Sequence, residues 1–212
     1  VMSSPGSGKT TTLVETIGRL QTLGIRCAVV VGDICTRNDA DRLAATGVPA
    51  VQINNDQFVG DCHLTAQGIF KALDDIDLNR VDLLIVENVG NLVCPAAFDL
   101  GEAHKVAILS ITEGEDKPLK YPVAFREAGA VVVTKIDLIE HFDFDLDDIR
   151  RVSGDLKPGV ETLPTSAREG TGLDELAERV LAPLGMDDTF SLHRGDDPRL
   201  ERMPARYVRH AA

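Results

Sequence analysis

Residues 3–10 read SSPGSGKT and run directly into a helical pattern. They match the phosphate-loop pattern G-x-x-x-x-G-K-[ST] at Gly8, Lys9 and Thr10, with Ser3 in place of the first glycine. Backbone N–H groups of such a loop, together with the following helix N-terminus, bind phosphates. We expect Lys9 to bridge the terminal phosphates and Thr10 to hold Mg²⁺; a turn that only caps a helix is the alternative. The nucleotide-binding residues predicted in this segment are Pro5, Gly6, Ser7, Gly8, Lys9, Thr10 and Thr11.

Composition and charge restrict the class of protein. The chain has 212 residues, 43% of them hydrophobic and 26% charged, which is ordinary for a globular protein. The formal net charge of −12 argues against nucleic-acid and anionic-membrane partners, because these attract basic surfaces. No apolar run approaches the ~18 residues of a membrane span. We expect a cytoplasmic protein with a nucleotide-binding domain at residues 1–185 and a poorly ordered tail at residues 186–212.

Short apolar runs alternate with helical patterns, which is typical of a mostly parallel central sheet with helices on both faces. We therefore predict an α/β protein with the three-layer P-loop NTPase fold. Because only two residues precede the phosphate loop, we expect part of the leading strand to lie upstream of Val1. Strands are predicted at residues 26–32, 49–53, 81–87, 104–111, 129–134 and 160–164. Helices are predicted at residues 8–22, 39–46, 62–75, 119–127, 143–153 and 171–182.

Two carboxylates follow predicted strands and are candidates for holding Mg²⁺ with Thr10. Asp33 follows strand 26–32, and Glu87 ends strand 81–87, where a Walker B aspartate usually stands. Both lie at the carboxyl edge of the sheet, where ligands bind in such folds. E-x-x-G at residues 87–90 resembles the element that senses a γ-phosphate, with Gly90 free to change its backbone conformation. We expect Lys9, Thr10, Asp33, Glu87 and Gly90 to be catalytic; a solvated carboxylate is the alternative for each acid.

Residues 131–138 read VVVTKIDL, a strand running into T-K-x-D, which is close to the N-K-x-D element of GTPases. Asp137 would accept two hydrogen bonds from the guanine edge, whereas adenine would leave this carboxylate unpaired. Lys135 would cover the plane of the base. Thr134 replaces the usual asparagine, so we expect weaker base binding. Ser166 and Ala167 follow the last predicted strand and resemble the loop that supports the base. Together these residues favour GTP over ATP; an ordinary strand end is the alternative.

Cys62, His63 and Cys94 are the candidate ligands of a transition metal. We expect Asp61 to cap a helix that Cys62 opens, where a thiolate is favoured. Two thiolates and one imidazole suit Zn²⁺ or Ni²⁺ rather than Mg²⁺ or Ca²⁺. Three ligands do not complete a closed structural zinc site, and an incomplete site suits delivery of the ion.

The other two cysteines are expected to behave differently. Four cysteines do not make a dense disulfide framework, so packing or metal binding is expected rather than disulfide pairing. Cys27 lies in an apolar run and is predicted to be in the core. The role of Cys35 stays open, and His104 is expected to be structural.

Across about residues 1–175 the chain resembles the HypB family, the GTPases that help to insert nickel into [NiFe]-hydrogenase. The resemblance is carried by residues 3–10, 32–33, 62–64, 87–95, 98–102 and 112–122. It implies a GTP- and Mg²⁺-dependent homodimer in which Cys62, His63 and Cys94 of two subunits form a nickel or zinc site. It also implies a HypA-type nickel chaperone and the hydrogenase large-subunit precursor as partners. Lys120 is the candidate to reach the other subunit's nucleotide.

We expect a slow intrinsic GTPase, because no obvious glutamine follows Gly90 to orient a water. GTP and Mg²⁺ would order the loops at residues 33–39 and 87–95, and hydrolysis would shift Cys94 and change metal affinity. Three alternatives stay open. The chain would be a related metal-handling GTPase for another metalloenzyme, a regulatory GTPase with a structural zinc, or, against the T-K-x-D element, a metabolic kinase.

Overall fold

A parallel β-sheet forms the centre of the molecule, in a computed structural model that describes residues 1–32, 38–53 and 62–183. Its strands pair in the orders β3-β2-β4 and β1-β5-β6-β7, all in parallel. Hydrogen bonds from the Val1 nitrogen to the Val86 carbonyl (2.7 Å) and from the Asn88 nitrogen to the Val1 carbonyl (3.0 Å) connect β4 to the β1 side. The strands are β1 (Met2–Ser3), β2 (Cys27–Val31), β3 (Ala50–Gln52), β4 (Leu83–Glu87), β5 (Lys105–Ser110), β6 (Ala128–Thr134) and β7 (Glu161–Pro164).

Helices follow the strands and cover both faces of the sheet. They are α1 (Lys9–Thr22), α2 (Asn38–Ala44), α3 (Ala66–Leu73), α4 (Cys94–Ala97), α5 (Lys117–Lys120), α6 (Pro122–Glu127), α7 (Leu146–Leu156) and α8 (Leu173–Glu175), the last continued by a π-helical turn at Leu176–Leu181. The predicted three-layer α/β fold is confirmed. In the described part of the chain, no helix has the length and apolarity needed to cross a membrane.

The strands alternate their side chains between hydrophobic clusters on the two faces of the sheet. In β2, Val29 and Val31 pack with α1, α2 and the π-helical turn, whereas Ala28 and Val30 pack with α3 on the opposite face. The same alternation in β5 and β6 buries a third cluster against α6 and α7, around the fully buried Phe125. Because both faces are covered, the strands read as nearly continuous apolar runs. This is why each predicted strand lies within two residues of its observed bounds.

Four predicted helices differ from those observed. The helix predicted at residues 143–153 lies at Leu146–Leu156, because the Asp145 carboxylate caps it by accepting from the Asp147 nitrogen (2.8 Å). The helix predicted at residues 171–182 is α8 with its π-helical continuation. The helix predicted at residues 62–75 begins only at Ala66, because the Thr65 hydroxyl caps it by accepting a hydrogen bond from the Gly68 nitrogen (3.1 Å). The helix predicted at residues 119–127 is two short helices, α5 and α6, because Pro122 starts a new first turn. The predicted domain end at residue 185 and the tail at residues 186–212 lie outside the described residues.

Candidate functional site

The predicted phosphate loop connects β1 to α1 at the carboxyl edge of the sheet. Gly6 and Gly8 have φ angles of 72° and 92°, which only glycine adopts readily. Ser3 does not need this freedom, because it ends β1 and accepts a hydrogen bond from the Ser7 hydroxyl (2.5 Å). The serine at the first position of the motif therefore stabilises the loop through a buried hydrogen bond within it. Lys9 begins α1, as the sequence predicts.

Thr10 and Glu87 meet beside this loop. The Thr10 hydroxyl donates to Glu87 Oε1 (2.7 Å), and both residues are buried. Glu87 Oε2 is buried and has no hydrogen-bond partner among the described atoms. Burial raises the pKa of Glu87, while the Thr10 hydrogen bond and the charge of Lys9 act in the opposite direction. A buried carboxylate oxygen without a donor, next to a threonine hydroxyl, is a set of oxygen ligands that fits Mg²⁺.

The predicted base-reading residues lie at the end of β6, next to the phosphate loop. The Thr134 hydroxyl donates to the Ser7 carbonyl (2.6 Å), and Lys135 Nζ donates to the Gly6 carbonyl (2.8 Å). Lys135 has a φ of 61° and is the one described non-glycine residue in the left-handed region. The Ser166 hydroxyl donates to Asp137 Oδ1 (2.7 Å), which orients this carboxylate.

The predicted metal ligands come together. Single ligand atoms of Cys62, His63 and Cys94 all lie within 4.8 Å of one another. Cys94 begins α4, seven residues after Glu87, and Cys62 and His63 lie in a bend before α3. The expectation that Cys62 opens a helix is wrong, because Cys62 and His63 precede the start of α3. Asp61, the expected cap, lies outside the described residues.

Cys62 and Cys94 are joined by a disulfide, with their Cα atoms 6.2 Å apart. The expectation that the cysteines would not pair is therefore wrong for these two. The physical reason is that two thiols close enough to share one metal ion are also close enough to oxidise. Metal binding at this cluster requires the reduced pair, because the thiolate is the ligand. Cys27 is buried in the core with its pKa raised to about 12 by burial, as its apolar surroundings predict.

The segment between Glu87 and Cys94 contacts both the phosphate loop and the Cys62 loop. A Cβ added to Gly90 would lie 3.0 Å from Cα, N and Cγ of Pro5, so the two loops touch. Asn91 forms an isolated antiparallel bridge with Ser3. The Asn91 side chain donates to the Cys62 carbonyl (3.2 Å) and accepts from the Val93 nitrogen (2.8 Å). The nucleotide and metal elements are therefore in direct contact.

Sequence reasoning missed three residues at this site. Asn91 is one. Asn88 is another, because its Oδ1 accepts from the Leu64 and Val89 nitrogens (3.2 and 3.0 Å). The third is Phe98, whose ring stacks on that of His63 with centroids 3.9 Å apart and planes 5° apart. Their sequence signal was their place in residues 87–95 and 98–102, which carry the family resemblance but assign these three residues no chemical role.

Other predicted residues lie at the edge of the site or beyond it. The Thr11 hydroxyl accepts from Arg42 Nη2 (2.9 Å) on the exposed side of α1. Ala167 follows Ser166 in a half-buried turn. Lys120 is exposed and pairs with Asp116, which raises the pKa of Lys120 and lowers that of Asp116. Asp33 and Cys35 lie outside the described residues, so the second predicted Mg²⁺ carboxylate has no observed position.

Comparison with known proteins agrees with this geometry. Residues 1–164 match the family model "CobW/HypB/UreG, nucleotide-binding domain". The hydrogenase maturation factor HypB of Escherichia coli (strain K12) is 49% identical over 175 residues, which cover 82% of this chain and 59% of that protein.

Two solved structures resemble the whole described fold. HypB from Helicobacter pylori, in complex with nickel, has a TM-score of 0.78 and 40% identity, covering 84% of this chain and 82% of that one. The hydrogenase maturation factor HypB from Archaeoglobus fulgidus has a TM-score of 0.77 and 32% identity, covering 86% of this chain and 87% of that one.

The chain spans about three-fifths of the length of the Escherichia coli relative. The matched residues include the predicted phosphate loop, the segments that carry Cys62, His63 and Cys94, and the end of β6. The resemblance therefore covers the elements that would carry the chemistry, and it extends over most of this sequence at close to half identity. On these grounds the chain belongs to the CobW/HypB/UreG family of nucleotide-binding domains and, within it, to the HypB proteins.

Proposed function

We propose that the chain is the G domain of a GTP-hydrolysing metallochaperone that couples GTP-dependent dimerisation to nickel delivery in [NiFe]-hydrogenase maturation. The observation that carries this proposal is the segment from Glu87 to Cys94. One of its ends supplies the carboxylate beside Thr10, and the other supplies a thiol of the metal cluster. The names of the relatives support the client, since they are hydrogenase maturation factors, and one of them was solved with nickel.

Guanine selection follows from Asp137. Its carboxylate, oriented by Ser166, can accept two hydrogen bonds from the N–H groups of a guanine edge. The amino group of adenine would be misplaced, and the half-buried acceptor would stay unpaired. Lys135 crosses to the phosphate loop, so its stem can lie along the base plane. Ala167 would support the base from the neighbouring turn.

Phosphate binding and hydrolysis would use the loop and Mg²⁺. Lys9 and the backbone N–H groups of residues 5–11 would bind the phosphates. Mg²⁺ would neutralise developing charge on the phosphates, with Thr10, Glu87 and Asp33 as the residues that hold it. Gly90, against Pro5, would sense the terminal phosphate. No glutamine stands among residues 91–100, after Gly90, to orient a water, which supports a slow intrinsic rate.

Nickel is the cargo in this proposal, with zinc as the other candidate. Cys62, His63 and Cys94 supply two sulfur atoms and one nitrogen, which suit either ion. The fourth position would be filled by water or by the second subunit of a GTP-bound homodimer, across which Lys120 would reach. A HypA-type chaperone would supply or accept nickel, and the hydrogenase large-subunit precursor would be the client. The cytoplasmic location stays a prediction.

The proposal is tested by measuring nickel and zinc affinity of the reduced protein with GDP and with a non-hydrolysable GTP analogue, recording mass at the same time. We expect the analogue to produce dimers and to change nickel affinity at least fivefold. Cys94→Ala should remove that change, and Cys27→Ala should leave it intact. Metal bound one per monomer with equal affinity in both nucleotide states would contradict the delivery role and favour a structural site.

A further inference from the structure

We infer that Asn91 is a positioning residue that holds the Cys62 loop at a fixed distance from Cys94 and links both to the phosphate loop. It rests on the proposed function in that the cluster takes a metal ion. Asn91 supplies no ligand atom to the cluster. It acts through the backbone of its neighbours, and this separates it from the three predicted ligands.

The first step is the use of both ends of one amide. Asn91 Nδ2 donates to the Cys62 carbonyl (3.2 Å), and Asn91 Oδ1 accepts from the Val93 nitrogen (2.8 Å). Cys62 and Val93 are, respectively, a ligand and the residue before a ligand. One rigid side-chain amide therefore spans the two loops that must meet to form the cluster, although 32 residues separate the two cysteines.

The second step is the backbone of the same residue. Asn91 is bridged to Ser3, the first residue of the phosphate-loop motif, and its neighbour Gly90 lies against Pro5. Movement of the phosphate loop would therefore reach Asn91 directly, and through its amide it would reach Cys62 and Val93. Metal coordination is intolerant of small displacements of its ligands, so a supporting hydrogen bond of this kind affects affinity.

The third step compares Asn91 with Asn88. Asn88 is buried, and its Oδ1 accepts from the Leu64 nitrogen (3.2 Å), two residues beyond Cys62. It therefore anchors the start of α3 and does not reach the ligand backbone. Asn91, in contrast, donates its hydrogen bond to the carbonyl of Cys62 itself. We therefore assign Asn88 to the folding of the Cys62 loop, and Asn91 to the position of Cys62 relative to Cys94.

The variants separate the two ends of the amide. Asn91→Ala removes both hydrogen bonds. Asn91→Asp keeps the acceptor for Val93 but turns a carboxylate oxygen toward the Cys62 carbonyl. The matched control is Asn79→Ala, which removes an exposed asparagine whose side-chain amide donates to Asp77. Thermal unfolding and affinity for fluorescent GDP report whether each variant is folded.

Two measurements are made on the full chain. The first is Ni²⁺ affinity of the reduced protein, by competition with a chromophoric chelator, with GDP and with the GTP analogue. The second uses no metal: the equilibrium of the Cys62 and Cys94 thiols with their disulfide, titrated against reduced and oxidised glutathione, which reports the effective concentration of one thiol at the other.

For Asn91→Ala we expect about a fivefold to tenfold loss in both quantities, the range expected for one or two hydrogen bonds. We also expect the ratio of nickel affinities in the two nucleotide states to fall to within about twofold of one. In Asn91→Asp the thiol–disulfide equilibrium should shift by the same factor. In Asn79→Ala the nickel affinity and the thiol–disulfide equilibrium should stay within about twofold of wild type, and the GDP affinity should stay within about twofold in all variants. In Asn91→Ala the sulfur-to-nickel charge-transfer absorption should also change shape, because displaced thiolates alter the coordination geometry.

Wild-type nickel affinity and thiol equilibrium in Asn91→Ala would overturn the inference. A wild-type protein that binds no Ni²⁺ would instead overturn the proposed function. The glutathione titration would still decide the position of the loops, because it needs no metal: a shifted equilibrium supports the role of Asn91, and an unchanged one refutes it.

Discussion

The Thr134 hydroxyl donates a 2.6 Å hydrogen bond to the Ser7 carbonyl, and this bond attaches the end of β6 to the phosphate loop. The two residues are 127 positions apart and both are buried. We predicted that threonine in place of asparagine would weaken base binding. In the structure Thr134 instead connects the end of β6 to the phosphate loop, so we expect it to contribute to nucleotide binding through the position of that loop.

Thr134→Val should therefore weaken GDP binding by about fivefold to tenfold, because it removes this bond and leaves the Ser7 carbonyl without it. Fluorescent GDP titration measures the effect. Thr162→Val is the matched control, since the Thr162 hydroxyl is buried on the adjacent strand without a hydrogen-bond partner among the described atoms. It should leave GDP affinity unchanged; equal losses in both variants would contradict a specific role for Thr134.

Glu87 gives a prediction about pH. Burial raises its pKa above the unfolded value, so its contribution to stability is fully present below the unfolded pKa and is lost as pH rises through the folded pKa. Without nucleotide and Mg²⁺, Glu87→Gln should raise the unfolding temperature at neutral pH, and it should flatten the fall of that temperature as the pH rises above 4.5, the ordinary pKa of a glutamate. Thermal unfolding at several pH values checks this.

In wild type, Mg²⁺ should increase nucleotide affinity. In Glu87→Gln this increase should be smaller by about tenfold or more, because Glu87 is proposed to hold Mg²⁺. The exposed Glu140→Gln serves as its control. Stabilisation by Mg²⁺ that is equal in Glu87→Gln and wild type would show that Glu87 lies outside the magnesium site.

Phe98 should support metal binding through His63. Because aromatic pairs contribute about 0.5–1.5 kcal/mol beyond their buried area, Phe98→Ala should lower Ni²⁺ affinity by about twofold to tenfold. Phe98→Tyr should restore it, since the stacking face remains. Phe142→Ala removes an exposed phenylalanine elsewhere and should have no effect on the monomer's affinity. A loss in Phe98→Tyr as large as in Phe98→Ala would count against stacking.

Asp137→Asn should change base preference. An amide oxygen and an amide N–H replace two acceptor oxygens, so the guanine 2-amino group loses a partner, whereas the 2-oxo group of xanthine gains a donor. We expect GDP affinity to fall about a hundredfold and xanthosine diphosphate to bind more tightly than GDP. Competition titrations with both nucleotides, and with Asp143→Asn as an exposed control, measure this. Unchanged preference would show that Asp137 does not read the base.

Much of the fold was predictable because the sheet is buried on both faces. A strand such as β2 then reads as an uninterrupted apolar run, Cys27 to Val31, and its ends are visible in the sequence. The places of Lys9 at the start of α1 and of Asp137 just after β6 were also predictable, because the motifs fix their spacing from the strands; the roles of the two residues stay predictions. The start of α3 was not, because Asp61 and Thr65 are both acceptable caps and only the fold places Thr65 at the first turn.

The connections between loops were not predictable either. Asn91 and Phe98 act through a carbonyl and a stacked ring on a segment about 30 residues away in sequence, and no local pattern encodes such a partner. The Cys62–Cys94 disulfide has the same origin. Residue types suggested a shared ligand set, but only the converging loops bring the two sulfur atoms into contact.

The close approach of Gly90 to Pro5 has a consequence for protein engineering. A Cβ added at Gly90 would lie 3.0 Å from the Pro5 backbone, so the segment from Glu87 to Cys94 and the phosphate loop have complementary shapes that depend on each other. Transfer of the segment from Glu87 to Cys94 onto another nucleotide-binding domain should therefore succeed only if residues 3–10 are transferred with it. A directed-evolution library that randomises position 90 alone should return glycine.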